Sequence, residues 1–134
     1  MNSRSMLAAM LLAAAGGVSA LEGHAGQDAL ERFDIIDLVS DQTTLCRKEK
    51  DQSLCSNYFT EDGVIKRIMH DDDARRDGVW FIDDQDRLCI LWKGKIKPLC
   101  FHVYEQDDGS YKLIKKGEHI TTIIGTEQGN TRGL

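Results

Sequence analysis

From Thr43 onward the chain alternates short apolar-rich runs with clusters of turn-forming residues. The runs are Thr43–Lys48, Leu54–Thr60, Val64–His70, Gly78–Ile82, Arg87–Trp92, Lys97–Tyr104, Tyr111–Lys116 and Glu118–Ile124. Between them lie Asp51-Gln52, Glu61-Asp62-Gly63, Asp71 to Asp77, Asp83 to Asp86, Lys93-Gly94-Lys95, Asp107-Asp108-Gly109 and Gly117. Runs of this kind, punctuated by Gly and Asp, form β-strands joined by tight turns. No helical stretch separates them, which argues against a parallel α/β sheet, whose crossovers need helices. The pattern predicts a mostly β fold. It is an antiparallel up-and-down meander of about eight strands, forming a barrel or half-open barrel.

One helix precedes the strands. Asp28 reads as an N-cap, with Glu31 three positions later as its capping-box partner. Leu30, Phe33, Ile36 (or Asp37) and Ser40 follow one helical stripe, and Ile35, Leu38 and Val39 widen the apolar content. A helix over Ala29–Ser40 is therefore expected to pack on the sheet or across the barrel mouth. Trp80 lies between Val79 and Phe81, so neither face of its strand is polar. Its strand is expected to be covered on both sides, the outer one by the helix, with Trp80 structural.

The start of the chain has a different character. Arg4 is followed by an unbroken apolar run from Met6 to Ala15, a Gly16-Gly17 break and the small residues Val18-Ser19-Ala20. This is the pattern of a secretory signal peptide over residues 1–20. The run is far shorter than the roughly 20 residues that span a bilayer, so no membrane span is expected. The expected organisation continues with a flexible arm over 21–27, a single β-rich domain with its helix over 28–125, and a flexible polar tail over 126–134.

Composition narrows the partners. With 17 Lys+Arg against 22 Asp+Glu, the formal net charge is -5, which argues against a general nucleic-acid binder. Export also changes the meaning of the four cysteines, because an oxidising compartment makes disulfides the default for an even count.

The cysteines speak to register. Setting Cys89 opposite Cys100 pairs Leu88 with Phe101 and Ile90 with Leu99. Leu88, Ile90 and Trp92 then share one face with Leu99, Phe101 and Val103, the single apolar face that register demands. The disulfide falls on the opposite face, beside Leu91, His102 and Tyr104. Pro98 has no N–H, so a two-residue Gly94-Lys95 turn would waste a ladder bond there. A four-residue loop, Lys93 to Ile96, puts Pro98 and both cysteines at non-hydrogen-bonded sites, where side chains are closer. Cys46 and Cys55 flank Asp51-Gln52 in the same way and suit a second cross-strand bridge. The pairings 46–89 with 55–100, and 46–100 with 55–89, stay open on spacing alone. No C-x₂₋₄-C spacing points to zinc.

Tyr58-Phe59-x-x-Asp62-Gly63, Gly78-x-Trp80, Leu88-Cys89-x-x-Trp92, Cys100-Phe101-x-Val103 and Gly109-x-Tyr111 together resemble a family of bacterial exported proteins classed as domain of unknown function 995. The resemblance covers roughly Phe33 to Gly125. It implies a secreted or periplasmic β-rich domain and brings no catalytic residues. Cys46 and Cys55 lie outside its pattern.

Candidate chemistry is sparse. His70 precedes Asp71-Asp72-Asp73, which together offer imidazole and oxygen ligands for a cation. Asp73-x-x-x-Asp77-Gly78 only partly resembles a calcium loop. Arg75 sits inside it and no bidentate Glu follows, so a solvated turn is the simpler reading. His102 falls on the disulfide face as a surface residue. Ser56 and Ser110 lie in no nucleophile motif. Lys93, Lys95, Lys97, Lys112, Lys115 and Lys116 gather in the later hairpins, as an anion-binding patch or, more simply, as charged protection of edge strands.

The residues therefore favour an exported, disulfide-stapled, non-enzymatic binding or interaction module, with no cofactor and with a protein or small-ligand partner. A cell-envelope hydrolase and a periplasmic metal-binding protein using His70 and Asp71 to Asp73 are the competing readings. Export is expected to remove residues 1–20. N-terminal sequencing of the exported protein should then begin at Leu21, and a start at Met1 sinks the signal-peptide reading.

Overall fold

The computed structural model describes residues 28–134; the expected signal peptide and arm lie outside them. A short helix, α1 (Arg32–Val39), is followed by eight strands. These are β1 (Gln42–Lys48), β2 (Leu54–Phe59), β3 (Val64–Met69), β4 (Arg75–Ile82), β5 (Leu88–Trp92), β6 (Leu99–Glu105), β7 (Tyr111–Lys115) and β8 (Glu118–Gln128). Each pairs antiparallel with the next, and β1 pairs with β8 to close the barrel. Among the described residues no helix is long and apolar enough to cross a membrane.

Alternation along the strands sorts side chains to the two sides of the wall. Phe59, Ile65, Trp80, Ile82, Leu88, Phe101 and Val103 are buried in one interior core. Both local disulfides form, Cys46–Cys55 and Cys89–Cys100. They lie on opposite sides of the wall. Cys46 and Cys55 are in register with each other and face inward, in phase with Thr44 and Asn57. Cys89 and Cys100 are out of phase with Leu88, Ile90 and Phe101, so their bridge lies outside, as the alternation predicts.

The β5–β6 register pairs Leu88 with Phe101 and Ile90 with Leu99, as expected. The loop is wider than Lys93 to Ile96, because the ladder stops at Ile90 and Leu99. Lys93 turns its N–H to the Asp77 carbonyl at 2.9 Å, and Pro98 stays outside the ladder. Two strands are longer than expected. β4 begins at Arg75, because Arg75 and Arg76 pair with Ile68 and Arg67 of β3. β8 runs past Ile124 to Gln128, because Gln42, Thr43 and Thr44 of β1 extend its ladder. Gly129 then donates to the Asp41 carbonyl at 2.7 Å, and the Thr131 N–H donates to Thr43 Oγ1 at 3.1 Å. Much of the expected tail is thus knitted to β1.

The helix also departs from expectation at its start. Leu30 donates its N–H to the Val103 carbonyl at 2.8 Å, which holds the preceding residues extended. The N-cap is therefore Glu31, not Asp28, and the Glu31 N–H donates to Asp34 Oδ2 at 3.4 Å. The buried face is Ile35 and Val39, both fully covered, while Phe33 is 75% exposed. Those two positions are i and i+4, one turn apart on a single face. They join the core beside Trp80, Ile82 and Leu88. Arg32 Nη2 donates to the Ile82 carbonyl at 2.9 Å, and the Asp41 N–H donates to the Phe59 carbonyl at 2.8 Å. The helix thus seals one barrel mouth.

It does not cover the outside of β4, where Val79 is 45% and Phe81 41% exposed. Trp80 points inward and is buried, as expected, but without cover on the outer face of its strand. Its Nε1 donates to the Thr60 carbonyl at 2.9 Å, and its ring meets Phe59 edge-on with centroids 5.7 Å apart. Trp80→Ala should cost about 3–5 kcal/mol, as a buried aromatic truncation that also removes one hydrogen bond from the Thr60 carbonyl, which keeps the Gly63 N–H. Chemical denaturation measures it; a change under ~1 kcal/mol contradicts a structural Trp80. Replacing Cys89 and Cys100 together by Ala should cost about 2–5 kcal/mol. Calorimetry with a free-thiol assay tests this, and an unchanged melting temperature rules it out.

Candidate functional site

The end opposite α1 is open. It leads into a cavity of about 520 Å³ that reaches inward to Phe59 and Phe101. The cavity wall is divided by strand. Ile90, Leu99, Phe101, Leu113, Ile120 and Ile123, from β5 to β8, make an apolar side. Arg67 of β3 and Arg76 of β4 make a cationic side, with Asn57 and Thr44 beside them from β2 and β1.

Trp92 joins the two sides. A Cβ added to Gly78 would lie 3.1 Å from Trp92 Cε3 and 2.6 Å from the Leu91 carbonyl oxygen. Glycine at this position therefore lets the indole lie close against β4. The guanidinium carbons of Arg67 and Arg76 stand 4.6 and 4.8 Å from the Trp92 ring centroid, a double cation–π contact. Arg67 Nε also donates to Asn57 Oδ1 at 2.9 Å. Burial first, and then the neighbouring Arg76, lower the Arg67 guanidinium from its ordinary value to about 10. It remains protonated at neutral pH. Among the described residues neither arginine has a carboxylate within salt-bridge distance; the ion pairs there join Arg47 to Glu49, Arg87 to Asp83 and His119 to Glu49. Thr44, fully buried in the cavity wall, is the one described residue whose buried side-chain oxygen lacks a hydrogen-bond partner.

The rim carries a second polar group. Thr122 Oγ1 donates to Glu49 Oε2 at 2.6 Å and lies 2.8 Å from His119 Nε2. The hydroxyl has one proton, and Glu49 receives it, so His119 donates from Nε2 to the threonine oxygen. Burial keeps the His119 pKa below its ordinary value, despite the opposing Glu49 charge. The Thr122 hydrogen bond is the largest of the effects that hold the Glu49 carboxyl below its ordinary range. No base stands ready to activate Thr122, so this cluster fastens β8 to the β1–β2 turn.

The sequence-derived candidates distribute as follows. The four cysteines are brought together as two disulfides. His70 and Asp71 to Asp73 do not converge into a ligand set. Asp72 Oδ1 instead accepts the Ala74 N–H at 3.0 Å, and Asp73 takes a left-handed turn conformation. Among the described residues the one group of potential metal ligands is Asp83, Cys89 and Cys100. Its sulfurs are spent in a disulfide and its carboxylate is paired with Arg87 at 2.7 Å. His70 Nε2 lies 2.8 Å from Ser56 Oγ on the outer wall. Arg132 Nη1 also donates toward that nitrogen at 3.1 Å. His24 lies outside the described residues.

The lysines of the later hairpins gain a different meaning. A closed barrel has no edge strand to protect. Lys93, Lys95 and Lys97, with Lys115 and Lys116, sit in or beside turns at the open end, joined by Lys48 and Lys50. The turns at the helix end carry Glu61, Asp62, Asp83, Asp84, Asp107 and Asp108. The sealed end is therefore the acidic one, while the lysines of the open end are nearly balanced by Glu49, Asp51, Asp71 to Asp73 and Glu118. Sequence reasoning missed Arg67 and Arg76. Alternation in Val64–Met69 places Arg67 on the face of Ile65, but Arg76 was assigned to the acidic turn, so the pair did not emerge. No family model, curated protein or solved structure matches this chain.

Proposed function

We propose that this chain is an exported, non-enzymatic binding module that takes a small ligand into the open end of its barrel. The observation that carries this reading is the cavity itself. It is floored by core side chains such as Phe59 and Phe101, open at the end opposite α1, and presents a mainly apolar surface with a polar rim. Its volume of about 520 Å³ lies within the range of small-molecule sites. Export is supported by the leader-like pattern of residues 1–20 and by two disulfides in a small domain. The resemblance to exported bacterial proteins points the same way. The non-enzymatic reading rests on the hydroxyls near histidine. Thr122 gives its proton to a carboxylate, and Ser56 shares its histidine with a guanidinium.

The reading is tested with a neutral apolar fluorophore, N-phenyl-1-naphthylamine, added to the oxidised protein. Emission should rise and saturate at one molecule per chain. Ile120→Trp, which narrows the mouth, should weaken binding about tenfold while the melting temperature holds. Absence of any saturable signal with folded protein overturns the reading.

A further inference from the structure

Arg67 and Arg76 face each other across β3 and β4 as a cross-strand pair. Like charges directly opposite one another are destabilising in a sheet, and the partial burial of Arg67 adds to that cost, while Arg76 is exposed. Both are nevertheless held in place by the Trp92 ring, and Arg67 also by Asn57. Among the described residues the terminal nitrogens of neither arginine donate to a protein acceptor. The site therefore presents oriented planar donors beside an apolar wall.

The occupant's chemistry follows from these features. Paired guanidiniums match the two oxygens of a carboxylate in a planar, forked geometry. The opposite side of the cavity, Ile90, Leu99, Phe101 and Leu113, has no use for a charged group and suits a hydrocarbon or aromatic body. The unpartnered Thr44 hydroxyl offers a further hydrogen bond within the cavity. Around the open end the lysines are matched by Glu49, Asp51, Asp71 to Asp73 and Glu118, so an anion is favoured there only by comparison with the sealed end, where carboxylates dominate. The local preference for an anion therefore rests on Arg67 and Arg76.

We propose that the open end of the barrel binds an apolar carboxylate, with its head between Arg67 and Arg76 and its body against Ile90, Leu99, Phe101 and Leu113. This rests on the ligand-binding reading above and adds the class of ligand. The test uses the oxidised protein, titration calorimetry and displacement of the neutral fluorophore. The probes are sodium decanoate, decanol and decyltrimethylammonium, which share a chain and differ in head. Decanoate should bind one per chain, about tenfold tighter than decanol, and the ammonium weakest. Arg67→Gln and Arg76→Gln should each remove about tenfold from decanoate and leave decanol unchanged. Arg67→Lys, which keeps charge but loses the fork, should fall between. Should Arg67→Gln fail to fold, Arg76→Gln decides, since Arg76 is exposed. Equal affinity for decanoate and decanol overturns the inference, as does equal loss of both in Arg76→Gln. If the neutral fluorophore binds while decanoate shows no preference, only the head-group inference fails. If neither binds, the ligand-binding reading fails with it.

Discussion

Pairing of β1 with β8 is the interaction on which the rest of the molecule depends. An open eight-stranded meander would leave two edges, a twisted apolar face and no inside. Closure turns that face into an interior and creates two ends. It needs accommodation in the wall, and the register shifts between Leu45 and Cys46 of β1, and between Leu113 and Ile114 of β7, supply it. Bulges of this kind sharpen local twist and bend, which a small barrel needs at its corners. Closure also explains why β8 is the longest strand. It must follow β1 through to Gln128 if the seam is to reach the sealed end.

The two ends then diverge in chemistry. At one, Ile35 and Val39 drop into the core, and the backbone bonds from Leu30 and Asp41 tie both sides of the helix to strand ends. At the other, the strands end in charged turns and no described residue plays the part of the helix. A small domain buries a limited fraction of its surface, so its core is marginal. The staples are placed in keeping with this. The inner bridge joins β1 to β2 within the cavity wall, and the outer bridge holds β5 to β6, whose ladder is short. Each constrains the unfolded chain by closing a hairpin loop.

What was legible from sequence followed local alternation and turn chemistry. The strand order, the closed or nearly closed meander and the registers through Cys46/Cys55 and Cys89/Cys100 all rest on hairpins whose partners are near in sequence. The misreadings share a non-local cause. The helix cap moved from Asp28 to Glu31 because Leu30 is claimed by Val103, far along the chain. Residues 126–134 look like a tail until β1 is beside them, pairing with Thr126 to Gln128. Arg76 looks like part of an acidic turn until Arg67 fixes its register. The cavity wall is assembled from every strand, so its character emerges only when the barrel is closed.

The arginine pair is the one place where local rules and the fold disagree. Apart from Thr44, whose buried hydroxyl has no partner, the inward positions near it are apolar or hydrogen-bonded, as a stable interior requires. Two facing guanidiniums without a carboxylate work against folding, and their mutual repulsion lowers the Arg67 pKa further than burial alone. Trp92 and Asn57 reduce this cost but do not neutralise it, since neither carries negative charge. A bound anion would remove the repulsion and stabilise the folded state in proportion to its occupancy, because it binds that state alone. Selectivity for the proposed ligand would follow from the same geometry, since a neutral ligand of the same shape would leave both guanidiniums uncompensated, whereas a carboxylate would satisfy them together.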